Sequence, residues 1–143
     1  MRMRNAAIYY LSKTGITRQY GEEIKKFLEL QNIKSELINV LDYNNEELNN
    51  FDYIFLGAWT HGLYIIFQHP DKPWIDFAKQ LPDLKEKKVA LFTTYKLATG
   101  TMFKKMKKHL KGITDNNLIE LKSKSDQLSE INKKQLLEFI NII

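Results

Sequence analysis

Along the chain, short unbroken runs of apolar residues alternate with longer stretches in which apolar residues return every three or four positions. Ala6, Ala7, Ile8, Tyr9, Tyr10 and Leu11 form one such run, the pattern of a strand covered on both faces. Over residues 17–30, Tyr20, Ile24, Phe27 and Leu28 share one side of a helix, and Arg18, Glu22, Lys25 and Lys26 share the other. Leu37, Ile38 and Val40 mark a second strand over 35–40, and the polar stretch 42–50 reads as a loop or one short helical turn. Residues 53–56 form a third strand that stops at Gly57. Pro73 suits the first position of a helix whose stripe is Trp74, Phe77, Ala78 and Leu81. Residues 89–92 give a fourth strand, Met102, Phe103, Met106 and Leu110 stripe the next helix, and residues 118–121 give a fifth strand. Ser125 or Asp126 caps a last helix, with Leu136, Phe139, Ile140 and Ile143 on its buried edge.

Five strands alternating with four clear helices predict an α/β fold, a three-layer doubly wound sandwich on a five-stranded parallel sheet. No repeat, low-complexity tract or linker interrupts the pattern, so residues 1–143 read as a single domain, large enough to bury a core without cross-links. The absence of cysteine excludes disulfides, thiolate-bound zinc, iron–sulfur clusters and cysteine nucleophiles. The apolar run 6–11 is too short for a signal-peptide core, and no segment approaches the ~20 apolar residues of a membrane span, so a cytoplasmic protein without a membrane partner is expected.

Lys and Arg number 22 against 17 Asp and Glu, a net charge of +5. Much of the excess lies in Lys104, Lys105, Lys107, Lys108 and Lys111, which reads first as a solvated helix face. No nucleic-acid-binding motif accompanies it, so no nucleic-acid partner is expected, and an acidic partner protein is the better functional use of such a field.

In a doubly wound sheet ligands bind beyond the carboxyl ends of the strands, where the strand order reverses. Three loops lie there. The first is Ser12-Lys13-Thr14-Gly15-Ile16-Thr17, where three hydroxyls, a glycine and the free N–H groups of a helix start can hold a phosphate. Neither the Walker pattern nor the three-glycine dinucleotide fingerprint is present, and the same threonines would also serve as ordinary helix caps. The second loop is Gly57-Ala58-Trp59-Thr60-His61-Gly62, and the third is Thr93-Thr94-Tyr95-Lys96, continuing through Thr99-Gly100-Thr101. A response-regulator use of the same fold needs acids at the ends of strands one and three, where the chain has Tyr10-Leu11 and Leu56-Gly57.

Ser12, Thr14, Gly15 and Thr17 match at every defined position the Ser/Thr-x-Thr-Gly-x-Thr phosphate loop of the flavodoxin family, which the chain resembles over its whole length in order of elements. The resemblance implies strand order 2-1-3-4-5 and non-covalent FMN, its terminal phosphate held by the first loop. It puts His61 where the family packs a ring on the flavin, beside Trp59, and Gly62 where a peptide turns over to meet the reduced flavin. That movement requires φ > 0 in one state, which glycine adopts cheaply. It gives the third loop the pyrimidine edge of the flavin, with Tyr95 as a second aromatic. The chain departs from the family in lacking the Gly-Asp pair of the third loop. Lys96 in place of an acid argues against a very low reduction potential.

The resulting expectation is an electron carrier without catalytic residues, serving redox partner proteins. The alternative is an FMN-dependent reductase or binding protein for a planar aromatic ligand such as a quinone, haem or other tetrapyrrole. It is motivated by the apolar segment that carries Trp59, His61, Leu63, Tyr64, Ile65, Ile66, Phe67 and His69, with His61 or His69 as haem ligands. A non-redox binding module is the third reading.

Overall fold

Parallel neighbours need crossover connections, and the chain provides them in the order β1 (Asn5–Leu11), α1 (Ile16–Leu30), β2 (Lys34–Asn39), α2 (Asn45–Leu48), β3 (Tyr53–Trp59), α3 (Lys72–Ala78), β4 (Lys88–Thr94), α4 (Met102–His109), β5 (Ile119–Ser123) and α5 (Glu130–Asn141). The structure, a computed structural model, describes residues 3–60, 69–96, 98–115 and 118–141. All five strands are parallel and lie in the order β2-β1-β3-β4-β5, as the resemblance implies. In the central register Ile8 faces Leu37 on one side and Phe55 on the other, Phe55 faces Ala90, and Phe92 faces Leu121.

Because side chains alternate across a strand, each apolar run supplies two cores. Ala6, Ile8 and Tyr10 of β1 join Phe55 and Phe92 beneath Tyr20, Ile24 and Leu28 of α1 and Leu136, Phe139 and Ile140 of α5. Ala7, Tyr9 and Leu11 join Ile54, Leu56 and Leu91 beneath Trp74 and Phe77 of α3 and Met102 and Met106 of α4. These stripes are the ones read from the sequence, apart from Ile143, which lies outside the described residues.

Three of the boundaries that differ from expectation have a specific pairing or capping cause. β3 does not stop at Gly57 but continues to Trp59, and β4 continues through Thr93 and Thr94. Gly57 pairs with Phe92, whose ring lies where a Cβ at Gly57 would be, so the glycine accommodates a neighbour instead of breaking the strand. The last helix starts at Glu130, capped by Ser129 and not by Ser125 or Asp126. The Ser129 Oγ accepts from the Asn132 N–H at 3.0 Å, and the Asn132 Oδ1 accepts from the Ser129 N–H at 3.3 Å and from the Tyr20 hydroxyl at 2.7 Å. Ser125 belongs to a preceding turn, where its N–H donates to the Ser123 Oγ. The stretch 42–50 contains α2, after a 3-10 turn at Val40–Asp42. Among the described residues no helix is long and apolar enough to cross a membrane.

Candidate functional site

The carboxyl end of β1 leads directly into the start of α1. Gly15 occupies the N-cap position with φ 96°, a left-handed conformation that side chains rarely adopt. The Ser12 Oγ accepts from the Gly15 N–H at 3.0 Å and closes the turn. The first backbone bond of the helix runs from the Gln19 N–H to the Gly15 carbonyl at 2.9 Å, so the N–H groups of Ile16, Thr17 and Arg18 precede the ladder. The first turn carries no acid, and a Cβ built on Gly15 would meet nothing within 4 Å. The exposed Thr14 edges this opening at the positive end of the helix dipole, a geometry that can receive an anion.

Thr17 is placed differently from the sequence reading. It is 1% exposed, and its hydroxyl stands 2.6 Å from that of Thr94 at the end of β4. Its side chain thus fastens α1 to the third loop rather than edging the open cradle.

The other two loops are joined to the first and to each other. The Lys13 Nζ lies 4.9 Å from the centre of the Trp59 ring, a cation–π contact between the first loop and the end of β3. The Thr60 N–H donates to the Thr94 carbonyl at 2.9 Å, and the hydroxyls of Thr60 and Thr93 are 2.8 Å apart. The Thr93 hydroxyl also donates to the Ala58 carbonyl at 2.7 Å. Trp59 is half-buried and packs against the α3–α4 core, so one edge of it is structural. Ala58 and Thr93 are fully buried and act as supports.

In the third loop the Tyr95 N–H donates to the Ser123 carbonyl at 3.1 Å, and the Lys124 Nζ lies 6.0 Å from the Tyr95 ring centre. Sequence reasoning missed Ser123 and Lys124, because only the β4–β5 pairing brings them beside Tyr95. Lys96 is exposed, as is Gly100, which has φ 49°. Lys13 thus stands over the Trp59 ring and Lys124 near the Tyr95 ring, Lys96 is exposed in the third loop, and no acid is among the site residues read from the sequence.

His61 and Gly62, with the apolar segment as far as Gln68, lie outside the described residues. His69 is half-buried, and its Nδ1 is 2.9 Å from the Pro70 carbonyl. Among the described residues no group of three or more His, Asp or Glu side chains forms a metal site.

The family model of the flavodoxin domain matches residues 7–130. Flavodoxin 1 from Bacillus cereus is 18% identical, with 97% of this chain and 99% of that chain covered at a TM-score of 0.69. The two-electron reduced flavodoxin of Megasphaera elsdenii is 23% identical, with 94% and 96% covered and a TM-score of 0.71. Rubredoxin oxygen:oxidoreductase from Desulfovibrio gigas matches 94% of this chain with 34% of its own length, at 14% identity and a TM-score of 0.65. No curated protein sequence matches the chain.

Proposed function

Because the chain belongs to the flavodoxin family, we propose that it binds one FMN at the carboxyl edge of the sheet and carries single electrons between redox partner proteins. FMN, when bound, supplies the chemistry, since the flavin takes up one or two electrons. The protein supplies the cradle. Ser12 and Thr14, Gly15 and the N–H groups of Ile16, Thr17 and Arg18 hold the phosphate, and Lys13, seated over Trp59, joins the ring edge. Trp59, Thr60, Tyr95, Lys96 and Gly100 edge the ring, and Ala58, Thr93 and Thr94 hold those edges in place. His61 and Gly62 complete the second loop.

The observation that carries this reading is the mutual linkage of the three loops. Lys13 contacts Trp59, Thr60 contacts Thr93 and Thr94, and Thr94 contacts Thr17. A site tied together in this way is built before its ligand arrives, and preorganisation favours tight binding.

The experiment is a titration of the flavin-free protein with FMN and with riboflavin, followed by quenching of flavin fluorescence. One equivalent of FMN should bind, at least tenfold more tightly than riboflavin, because a charge-assisted bond is worth about 1.5–3 kcal/mol. Equal affinity for the two would remove the phosphate role from the first loop, and no binding of either would remove the reading.

A further inference from the structure

Helices α1, α3 and α5 each pair their charges internally, whereas α4 does not. In α1, Arg18 lies 3.7 Å from Glu22 and Lys25 lies 3.7 Å from Glu29; in α3, Lys72 lies 3.1 Å from Asp76; in α5, Lys133 lies 3.4 Å from Glu130. The eight residues of α4 contain Lys104, Lys105, Lys107 and Lys108 and no acid. Lys104, Lys107 and Lys108, with Lys111 in the turn beyond, recur at i, i+3, i+4 and i+7 and so share one face. Like charges at that spacing weaken a helix. Lys104 and Lys105 also sit in the first turn, where the helix dipole is positive and cations are disfavoured. Lys107 and Lys108 suit the last turn, but helix stability gives no reason for the first two.

The stripe borders a groove of about 390 Å³ between α4 and β5, lined by Thr99, Gly100, Lys104, Lys107, Glu120 and Lys122. Lys107 pairs with Glu120 across it. Among the described residues Lys104, Lys108 and Lys122 are exposed and have no ion-pair partner. On the far side of α4, the pKa of His109 is lowered by burial and then by Lys108 and by Lys79 of the neighbouring segment, so the positive field continues across the helix. Thr99 and Gly100 belong to the third loop, so the groove opens at the proposed flavin edge.

We propose that the face formed by α4 and β5 docks the acidic surface of a redox protein, with carboxylates of the partner entering the groove between Lys104 and Lys122. This rests on the carrier reading above. A docked partner would stand beside the loop that edges the cofactor, and opposite fields steer two proteins into that orientation. A nucleic acid fits the face less well. Phe103 lines the groove but is only 8% exposed, too little for a base to stack on, and α4 has no Arg, Asn or Gln for readout of base edges.

The test uses plant-type ferredoxin, an acidic one-electron protein, as probe, with short duplex DNA as the competing ligand. The full chain, with FMN and without, is titrated with each at ionic strengths from about 0.02 M to about 0.5 M, a range over which screening becomes strong. Alongside run K104E/K108E/K122E and the neutral K104Q/K108Q/K122Q, all at exposed positions, so folding is retained and is checked by circular dichroism. Ferredoxin should bind the wild type with an affinity that falls at least tenfold with salt. The glutamate variant should bind at least tenfold more weakly at low salt, the glutamine variant should fall between, and FMN affinity should be unchanged in both. Ferredoxin binding that is absent, or equal in wild type and both variants, overturns the proposal. Tighter binding of duplex DNA than of ferredoxin at about 0.15 M salt, lost in the variants, assigns the face to nucleic acid and also overturns it. Failure to take up FMN is read separately from flavin fluorescence and removes the carrier reading, while ferredoxin binding still decides the docking face.

Discussion

The hydroxyls of Thr17 and Thr94 stand 2.6 Å apart, joining the first turn of α1 to the last residue of β4 across 77 positions of sequence. Both side chains are buried, so neither can turn to water if its partner is lost. Thr17→Val and Thr94→Val should each lower unfolding free energy by about 1–3 kcal/mol, the cost of leaving a buried hydroxyl unpaired. The double variant should lose less than the sum, because it removes both partners. Denaturant midpoints of the four proteins check this, and additive losses would deny the bond.

Thr14 has the opposite role. It is exposed beside the open cradle at Gly15, with no part in the Thr17–Thr94 contact. Thr14→Ala should leave stability within about 0.5 kcal/mol of wild type, as for an ordinary surface change. It should weaken FMN binding about tenfold or more with little effect on riboflavin. The ratio of the two affinities is the measurement.

Gly15→Ala should be harmful in both respects. Its φ of 96° strains any side chain by about 1–2 kcal/mol, and the added methyl would enter the space where the phosphate is proposed to sit. FMN affinity should fall more than stability does, and isothermal titration with a parallel urea melt separates the two.

The alternation of strands and helices was legible because each strand is buried on both faces and each helix has one apolar stripe. What escaped was set by distant partners. Gly57 looks like a strand end until Phe92 is seen lying over it, and Thr93 and Thr94 look like loop until they pair with Ala58 and Trp59. The tight turn of the first loop into α1 was legible from its glycine and hydroxyls. The inward turn of Thr17 was not, because Thr94 is supplied by another strand. The cap at Ser129 was obscured by Ser123, Ser125 and Asp126, which offer the same chemistry a turn too early.

Two tyrosines give the pH dependence. Burial raises the pKa of Tyr9, with the charges of Tyr43, Glu47 and Glu36 adding to it, and burial alone raises that of Tyr20. Unfolded tyrosine ionises near pH 10, so their contribution to stability is intact below about pH 10 and is lost as pH rises beyond it. Tyr9→Phe and Tyr20→Phe should each flatten that alkaline loss. At neutral pH they should differ. The Tyr9 hydroxyl is buried without a hydrogen-bond partner among the described residues, so Tyr9→Phe should not destabilise. Tyr20 donates to Asn132, so Tyr20→Phe should cost about 0.5–1.5 kcal/mol. Urea midpoints from pH 7 to about pH 11 check both.

As proposed, the chain holds FMN in a site that separates its two electrons, and the cations Lys13, Lys96 and Lys124 of the site loops and their neighbours ease entry of the second. The direct measurement is an anaerobic spectroelectrochemical titration of the FMN-loaded protein at low and high salt, with K13Q/K96Q/K124Q beside it. Two resolved one-electron steps are expected. The second should lie at a lower potential in the triple variant than in wild type, and the difference should shrink at about 1 M salt, where the Debye length is ~3 Å. A single two-electron wave would contradict the carrier reading, and a second potential that is unmoved by the three substitutions would contradict the placement of those cations.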